Sequence, residues 1–273
     1  MTENGLSIAG FSAIGASCTN LFLSGRNLIS AEIPNNPAQI FFGSVLAPWP
    51  NRLQDGWFEL EGERYEFANL DSQRNANHGL IGYEPLEVRR HSESSISFGK
   101  LFGSDEYPFE VDLEISYSIS ESFVFEARAT NRGAKTAPFA LGYHPYYRMP
   151  GVSRLRAKVQ QHLITDWRLI PVHSEQIEPL DLLFPGGPSL DDCYTGEWSV
   201  EFETEEFQLE ITQQNMPYLM LYTPELSPFA DGTPAIAIEP MSAPANAFQT
   251  EIELHLLRPG ETRNYRSEVK IRN

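Results

Sequence analysis

The sequence predicts an all-β protein built from large antiparallel sheets, and three observations favour this fold class. Apolar and polar residues alternate along many short segments, and no long segment has the periodicity of an amphipathic helix. The 19 glycines and 20 prolines divide the 273 residues into short pieces. Many short strands separated by turns are typical of a β-sandwich or a β-barrel. We therefore predict one large antiparallel β-domain over residues 1–273.

The alternation is clearest from Val111 to Ile119, where every second residue is apolar. A strand with this pattern buries one face and leaves the other face in polar surroundings. The same pattern predicts further strands around four sets of apolar residues, namely Phe123, Phe125 and Ala127; Val200 and Phe202; Phe207, Leu209 and Ile211; and Ile252, Leu254 and Leu256.

Turn residues place two further features. Phe58–Leu60 and Tyr65–Phe67 flank the segment Glu61–Arg64, and the glycine within this segment predicts a β-hairpin. Pro259-Gly260 predicts a turn before a last strand from Tyr265 to Ile271.

Charge and composition limit the classes of partner. The formal net charge is −17, which argues against binding nucleic-acid phosphates or anionic membranes, because both attract basic patches. Neutral ligands such as sugars remain compatible with an acidic surface. The two cysteines, Cys18 and Cys193, are too few for a disulfide framework or a four-thiolate metal site. The N-terminus lacks a basic region and no stretch reaches the length of a membrane span, so we expect a cytoplasmic protein.

Two ionisable side chains stand directly before prolines at the ends of apolar stretches. His144 follows Phe139–Tyr143, and Glu239 follows Ala235–Ile238. Proline lacks a backbone N–H, is excluded from central strands and holds the preceding residue in an extended conformation. Each run is therefore predicted to be a buried strand that stops at an ionisable side chain. Two such strand ends could hold a candidate acid and a candidate base rigidly at the mouth of a sheet.

Each of these two residues has a functional and a structural interpretation. Partial desolvation would raise the pKa of Glu239 toward that of a useful base, but the carboxylate could instead pair with an arginine. Tyr143, Tyr146 and Tyr147 surround His144 with aromatic surface that could stack on a sugar. The same tyrosines could instead form a core cluster around one buried histidine.

Three further segments combine polar groups with turn residues. Arg52 has a permanent charge and five donors for hydroxyls or a developing oxyanion, or it could be a surface arginine paired with an acid. His78 precedes a glycine that permits close approach of backbone or ligand, or it could be a histidine satisfied within a loop. Asp191 lies beside Asp192, and adjacent acids usually make a solvated turn.

The sequence contains no familiar motif for binding a metal or a cofactor. His78, His144, Asp191 and Glu239 could form a set of metal ligands, but no two of them lie at the close spacings of familiar zinc motifs. The sequence also lacks a glycine-rich phosphate loop and a nucleophile elbow. We therefore expect neither a metal nor a cofactor.

Taken in order, these segments resemble one family. Asn-Arg before a glycine hairpin, then His-Gly, Gly-Tyr-His-Pro-Tyr, Leu-Asp and Glu-Pro-Met together resemble the aldose 1-epimerase (galactose mutarotase) family. Gly15–Leu21 and Ala243–Phe248 resemble it as well, and the likeness extends over nearly the whole chain. The resemblance implies a galactose mutarotase-like β-supersandwich with a sugar site in a cleft on one sheet.

The resemblance also implies an activity and residue roles. The protein would be an isomerase that interconverts the α and β anomers of a hexose by acid–base ring opening and closure, without a cofactor. Glu239 matches the general base of the family and His144 matches its general acid. The residues that match those holding the sugar are Arg52, His78 and Asp191. Asp191 is preferred to Asp192 because it follows a leucine and stands three residues before an aromatic residue.

Three alternatives remain open. A hexose 6-phosphate would need additional cations, and Arg74 and Arg148 could supply them. A non-catalytic sugar-binding or regulatory protein could share the fold, although it would not need both an acid and a base. A glycoside hydrolase or lyase could use two carboxylates, for example Asp191 and Glu239. The identity of the hexose, its phosphorylation and the oligomeric state are left open.

Overall fold

A computed structural model describes residues 6–29 and 41–272, and strands dominate both ranges. Its helical elements within these ranges are a 3₁₀ turn at Ile81–Tyr83 and a short helix α1 at Ala247–Thr250. The predicted all-β class is therefore confirmed. The strands in chain order are β1 (Ile8–Phe11), β2 (Cys18–Leu23), β3 (Arg26–Ile29), β4 (Val45–Leu46), β5 (Arg52–Gln54), β6 (Trp57–Leu60), β7 (Glu63–Glu66), β8 (Asn75–Asn77), β9 (Glu87–His91), β10 (Ser95–Phe102), β11 (Val111–Ile119), β12 (Ser122–Asn131), β13 (Ala137–Phe139), β14 (Gly142–Tyr143), β15 (Tyr146–Arg148), β16 (Ser153–Ala157), β17 (Gln161–Thr165), β18 (Pro171–Gln176), β19 (Leu180–Phe184), β20 (Asp191–Thr195), β21 (Ser199–Glu203), β22 (Gln208–Gln214), β23 (Tyr218–Tyr222), β24 (Ala235–Met241), β25 (His255–Leu257) and β26 (Thr262–Ile271).

Two large antiparallel sheets carry the fold. The nine-stranded sheet has the order β19-β16-β21-β22-β26-β12-β11-β10-β9. The eight-stranded sheet has the order β18-β17-β20-β23-β24-β14-β4, with β15 also paired to β24. Four smaller groups complete the described topology, namely β1-β2-β3, β13-β25, β5-β8 and β6-β7.

The core lies between the two large sheets. Along β11 the alternating residues Val111, Leu113, Ile115 and Tyr117 are buried, and the residues between them are more exposed, as the sequence pattern predicts. The Phe125 ring of β12 stacks on Tyr143 of β14 with 4.5 Å between ring centroids. One face of the eight-stranded sheet therefore packs on the nine-stranded sheet, in agreement with the predicted β-supersandwich. The opposite face of the eight-stranded sheet is free to carry a site.

The predicted hairpin forms, but its turn is shorter than expected. β6 and β7 pair up to Leu60 and Glu63, so the turn consists of Glu61 and Gly62. Both residues have positive φ, at 53° and 79°. Two consecutive left-handed residues match the twist of antiparallel strands in a two-residue hairpin, and glycine adopts this conformation at little cost.

The strand predicted around Ile252, Leu254 and Leu256 forms only in part, because it begins at His255 and includes Leu256 but neither Ile252 nor Leu254. Ile252 is 51% exposed and lies in a turn after α1. Glu251 and Glu253 adopt positive φ, so the chain reverses before β25 begins at His255. β25 then pairs with β13 and buries Leu257. The alternation of apolar and polar residues gives no information about the positive φ angles that turn the chain here.

The strand that carries Glu239 does not stop there, contrary to the prediction. β24 continues through Pro240 to Met241 in the middle of the eight-stranded sheet. The N–H of Ile238 donates to Pro145 O, and the N–H of Ser242 donates to Leu141 O in the same neighbouring segment. Alternate residues of β24 therefore direct their N–H groups toward this segment. The missing donor of Pro240 therefore faces the region where that neighbour is divided into β14 and β15, so the proline is tolerated.

The prediction for the His144 segment is confirmed only in part. The run Phe139–Tyr143 is buried and its last strand stops before His144, but β13 ends at Phe139 and β14 consists of Gly142 and Tyr143 alone. β14 ends at Tyr143, and β15 begins at Tyr146, so His144 and Pro145 occupy the interval between two short strands. The prediction of one domain over residues 1–273 stays a prediction, and residues 1–5, 30–40 and 273 lie outside the described part. Within the described ranges, no helix is long and apolar enough to cross a membrane.

Candidate active site

His144 and Glu239 face each other on neighbouring segments of the eight-stranded sheet. The pairs Gly142↔Met241 and Tyr146↔Ala237 lie two residues to either side, so the register places His144 directly opposite Glu239. Opposed residues of an antiparallel pair have their side chains on the same face of the sheet. His144 Nε2 and Glu239 Oε1 are 3.4 Å apart.

Burial of this pair controls its protonation. The side chains of His144 and Glu239 are 6% and 2% exposed. Desolvation raises the pKa of Glu239 well above its usual range, Asp191 adds to this effect and Arg52 opposes it. Desolvation also lowers the pKa of His144 below its usual range. His144 Nδ1 and Glu239 Oε2 have no hydrogen-bond partner. Without a ligand, the pair therefore favours an uncharged imidazole beside a protonated carboxyl.

An arginine and an aspartate form a second arm of the site. Arg52 Nη2 on β5 donates to Asp191 Oδ2 on β20 over 3.2 Å. Asn51 Oδ1 accepts hydrogen bonds from Arg52 N at 2.8 Å and from Arg52 Nη1 at 3.1 Å. Burial raises the pKa of Asp191, while the charge and hydrogen bond of Arg52 lower it. Arg52 is thus held in one orientation, and its pairing with an acid does not remove it from the site.

His78 is held as a neutral imidazole. The ring Nδ1 of His78 accepts the backbone N–H of Asn51 at 3.1 Å, and the backbone N–H of His78 donates to Asn51 O at 2.9 Å. An accepting Nδ1 leaves the ring proton on Nε2. Burial, the nearby His144 and Arg52 lower the pKa of His78 well below its usual range. His78 can therefore offer an N–H donor to a ligand without becoming charged.

The glycine after His78 is required by the backbone. Gly79 has a φ of 67°, and a Cβ there would lie 2.2 Å from the Ala47 carbonyl oxygen. The close approach that the sequence predicted is thus between two backbone segments. It brings the His78 ring within 5.4 Å of the His144 ring, measured between centroids.

One cavity collects all five candidate residues from the sequence. Its volume is about 280 Å³, just below the range of roughly 300–1,000 Å³ usual for small-molecule sites. The candidate residues along its wall are Arg52, His78, His144, Asp191 and Glu239. The remaining lining residues are Phe41, Asn51, Asn77, Tyr146, Met220 and Tyr222. Such a size and a wall with both polar and aromatic groups suit a small polyhydroxylated ligand.

Several lining residues were not selected from the sequence. Asn51 and Asn77 each directly precede a selected residue, so their position was the available clue. Met220 and Tyr222 alternate on β23 with core residues, and no polar motif marks them. Among the tyrosines considered around His144, Tyr146 lines the cavity, with its ring centroid 4.9 Å from that of His144.

The structure distinguishes the two adjacent aspartates. Asp191 lines the cavity. Asp192 Oδ1 is hydrogen-bonded to His162 Nε2 at 2.9 Å, and Asp192 does not line the cavity. Successive residues of a strand point to opposite faces of the sheet, so only one of the two can face the site. Among the described residues, no group of three or more His, Cys, Asp or Glu side chains is arranged to hold a metal ion.

The two arginines considered for a phosphate lie outside the cavity wall. Arg148 Nη2 pairs with Asp231 Oδ2 at 2.7 Å. Arg74 is 74% exposed, and its nearest carboxylate is Asp55 at 3.7 Å. Arg52 is therefore the cation that the described residues contribute to the cavity, and it is already paired.

Comparisons of the sequence with known proteins find a matching family and several relatives. A family model described as aldose 1-epimerase matches residues 2–270. The chain is 25% identical over 265 residues to the uncharacterized protein YihR of Escherichia coli K12, covering 91% of this chain and 85% of that protein. It is 25% identical over 154 residues to galactose mutarotase of Bos taurus, covering 55% of this chain and 42% of that protein.

Solved structures show the same fold. An aldose epimerase homologue from C. elegans superposes with a TM-score of 0.83 at 17% identity, covering 99% of this chain and 96% of that chain. A galactose 1-epimerase from Lactobacillus acidophilus NCFM superposes with a TM-score of 0.78 at 16% identity, covering 100% and 92%. At these identities the structural likeness is evidence for the fold alone.

Proposed function

Because the chain belongs to the aldose 1-epimerase family, we propose that it interconverts the α and β anomers of an unphosphorylated hexose. The observation that carries this proposal is the buried pair of Glu239 and His144, 3.4 Å apart in a cavity of monosaccharide size. Arg52, His78 and Asp191 supply polar groups around the pair.

The reaction explains why an acid and a base stand side by side. Ring opening removes a proton from the anomeric hydroxyl O1 and adds a proton to the ring oxygen O5. Both oxygens are bonded to C1, so the two catalytic groups must be neighbours. In the proposed mechanism Glu239 takes the O1 proton and His144 donates to O5. Rotation about C1–C2 and reversal of both transfers then close the ring as the other anomer.

The proton balance of the pair fits this cycle. Before opening, Glu239 is ionised and His144 is protonated; after opening, Glu239 is protonated and His144 is neutral. The pair holds one proton in both states, so no exchange with solvent is needed within a turnover. Burial favours the uncharged state, so ring opening relieves two buried charges. The bound sugar and Arg52 must stabilise the charged state that begins the cycle.

The remaining polar groups would hold the sugar hydroxyls. Arg52 offers guanidinium donors, His78 offers its Nε2–H, and Asp191 accepts hydrogen bonds. The charge of Arg52 is already compensated by Asp191, and residues 30–40, which lie outside the described part, contain neither Lys nor Arg. A neutral hexose therefore matches the site better than a hexose 6-phosphate, which needs additional cations.

We expect Asp191→Asn to raise KM about tenfold, because the carboxylate both orients Arg52 and accepts sugar hydroxyls in charge-assisted bonds. The matched control is Asp192→Asn, which makes the same chemical change on the adjacent residue that pairs with His162. Steady-state mutarotation kinetics would compare the two. Equal KM values for both variants would contradict the role of Asp191.

The proposed function predicts faster relaxation of optical rotation when the protein is added to freshly dissolved α-D-glucose or α-D-galactose. Glucose 6-phosphate should compete poorly. Sugar binding without faster relaxation would favour the non-catalytic alternative, and release of free sugar from an oligosaccharide would favour the hydrolase. No acceleration with either hexose, together with acceleration of a hexose 6-phosphate, would contradict the choice of substrate.

A further inference from the structure

The ladder between the two catalytic segments lacks two of its backbone donors. Pro145 lies opposite Ile238 and accepts its N–H at 3.3 Å, but it has no N–H to return. Pro240 lies on the other side of Glu239 and likewise has no N–H to donate. Both missing donors would have crossed the interval that separates His144 from Glu239. This part of the sheet is therefore weakly tied where the catalytic distance is set.

Ser242 supplies a clamp next to this interval. Its backbone N–H donates to Leu141 O at 2.8 Å, and its hydroxyl oxygen accepts the Leu141 N–H at 2.8 Å. Ser242 stands three residues after Glu239, and Leu141 stands three residues before His144. Both residues are buried, so water cannot replace these bonds. The Ser242 hydroxyl is thus the acceptor for the Leu141 amide, and Leu141 belongs to the same segment as His144.

The opposite side of His144 is tied to the segment that leads into β4. His144 N donates to Ser44 O at 3.0 Å, and Gly43 N donates to His144 O at 2.9 Å. These bonds hold His144 toward β4, away from Glu239. Contacts between the His144 segment and β24 oppose this pull and help to set the separation of the catalytic pair.

We propose that Ser242 is a positioning residue that holds the His144 segment in register with Glu239, an inference that rests on the proposed function. The hydroxyl acts through the Leu141 amide, and it compensates for the donors that Pro145 and Pro240 lack. Ser242 does not touch the substrate cavity. Its removal should therefore change the rate of the chemical step more than the affinity for sugar.

The test compares Ser242→Ala with two other variants. We expect Ser242→Ala to lower kcat for mutarotation about tenfold, with KM changed less than about twofold, because small displacements of catalytic groups are costly. Ser242→Thr keeps the hydroxyl and should retain most of kcat. Ser267→Ala is the matched control: Ser267 is also a buried serine, and its hydroxyl donates to Thr212 O at 3.2 Å in the nine-stranded sheet, away from the cavity.

A purely structural role for Ser242 would give a different result. Ser242→Ala and Ser267→Ala would then both lower thermal stability and leave kcat per folded molecule unchanged, which would overturn the proposal. If Ser242→Ala fails to fold, hydrogen exchange of the Leu141 amide in the wild-type protein decides. Protection as strong as that of amides in the middle of β11, which is paired on both sides, supports the clamp, and exchange at the rate of a loop amide overturns it. A wild-type protein that does not accelerate mutarotation contradicts the proposed function itself.

Discussion

Glu239→Gln is expected to lower kcat for mutarotation by about 10³-fold while KM changes less than about threefold, since positioned acid–base groups contribute roughly 10²–10⁴-fold. The amide keeps the shape of the side chain, but it cannot accept the O1 proton. Polarimetry with α-D-galactose would give both constants, and isothermal calorimetry would show whether the sugar still binds. A variant with wild-type kcat would show that another group is the base.

Thermal unfolding provides the control for this variant. Burial raises the pKa of Glu239, so the folded protein retains a proton that the unfolded chain releases once the pH exceeds the ordinary carboxyl pKa. This carboxyl therefore contributes less stability as the pH rises from that ordinary value toward the raised one. Glutamine does not titrate, so it removes this loss of stability with rising pH. The Tm of the variant at neutral pH should therefore equal or exceed that of the wild type. A marked fall in Tm would attribute lost activity to unfolding instead.

His144→Gln is expected to lower kcat by about 10²-fold or more, because O5 loses its proton donor and the developing charge on the ring oxygen is not neutralised. The matched control is His162→Gln, since His162 pairs with Asp192 and does not line the cavity. Polarimetric kinetics with both variants would separate a specific effect from a general effect of removing an imidazole.

The double variant sharpens this test. Glu239 and His144 share one proton in the proposed cycle, so Glu239→Gln combined with His144→Gln should be little slower than the slower single variant. Multiplicative losses would show that the two groups act independently, and they would contradict the proposed proton balance. Unchanged kcat in His144→Gln would exclude His144 as the acid.

Much of the fold was predictable because strand patterning is local. The alternation from Val111 to Ile119 predicts both a strand and its buried face, and the structure has both. The same rule fails at Ile252, where two left-handed residues turn the chain, and at Glu239, where the strand continues through a proline. Turn geometry and the hydrogen-bond partners of a neighbour decide these cases, and neither is encoded in residue alternation.

The candidate site shows a similar division. Arg52, His78, His144, Asp191 and Glu239 were selected from the sequence, and all of them line one cavity. The choice between adjacent aspartates, by contrast, depends on which face of β20 points to the cavity, and that is set by the pairing of β20 with β23. Met220 and Tyr222 carry no motif and enter the cavity wall through the same pairing.

By itself, the sequence determined the all-β class, the acidic character and the set of candidate ionisable residues, because these depend on residue type and short-range spacing. Only the tertiary structure decided that His144 stands opposite Glu239 within 3.4 Å, and that both are removed from water. The physical reason is that register and burial arise from ladders between segments far apart in the chain. Desolvation, which sets the protonation of the pair, follows only after those segments have packed.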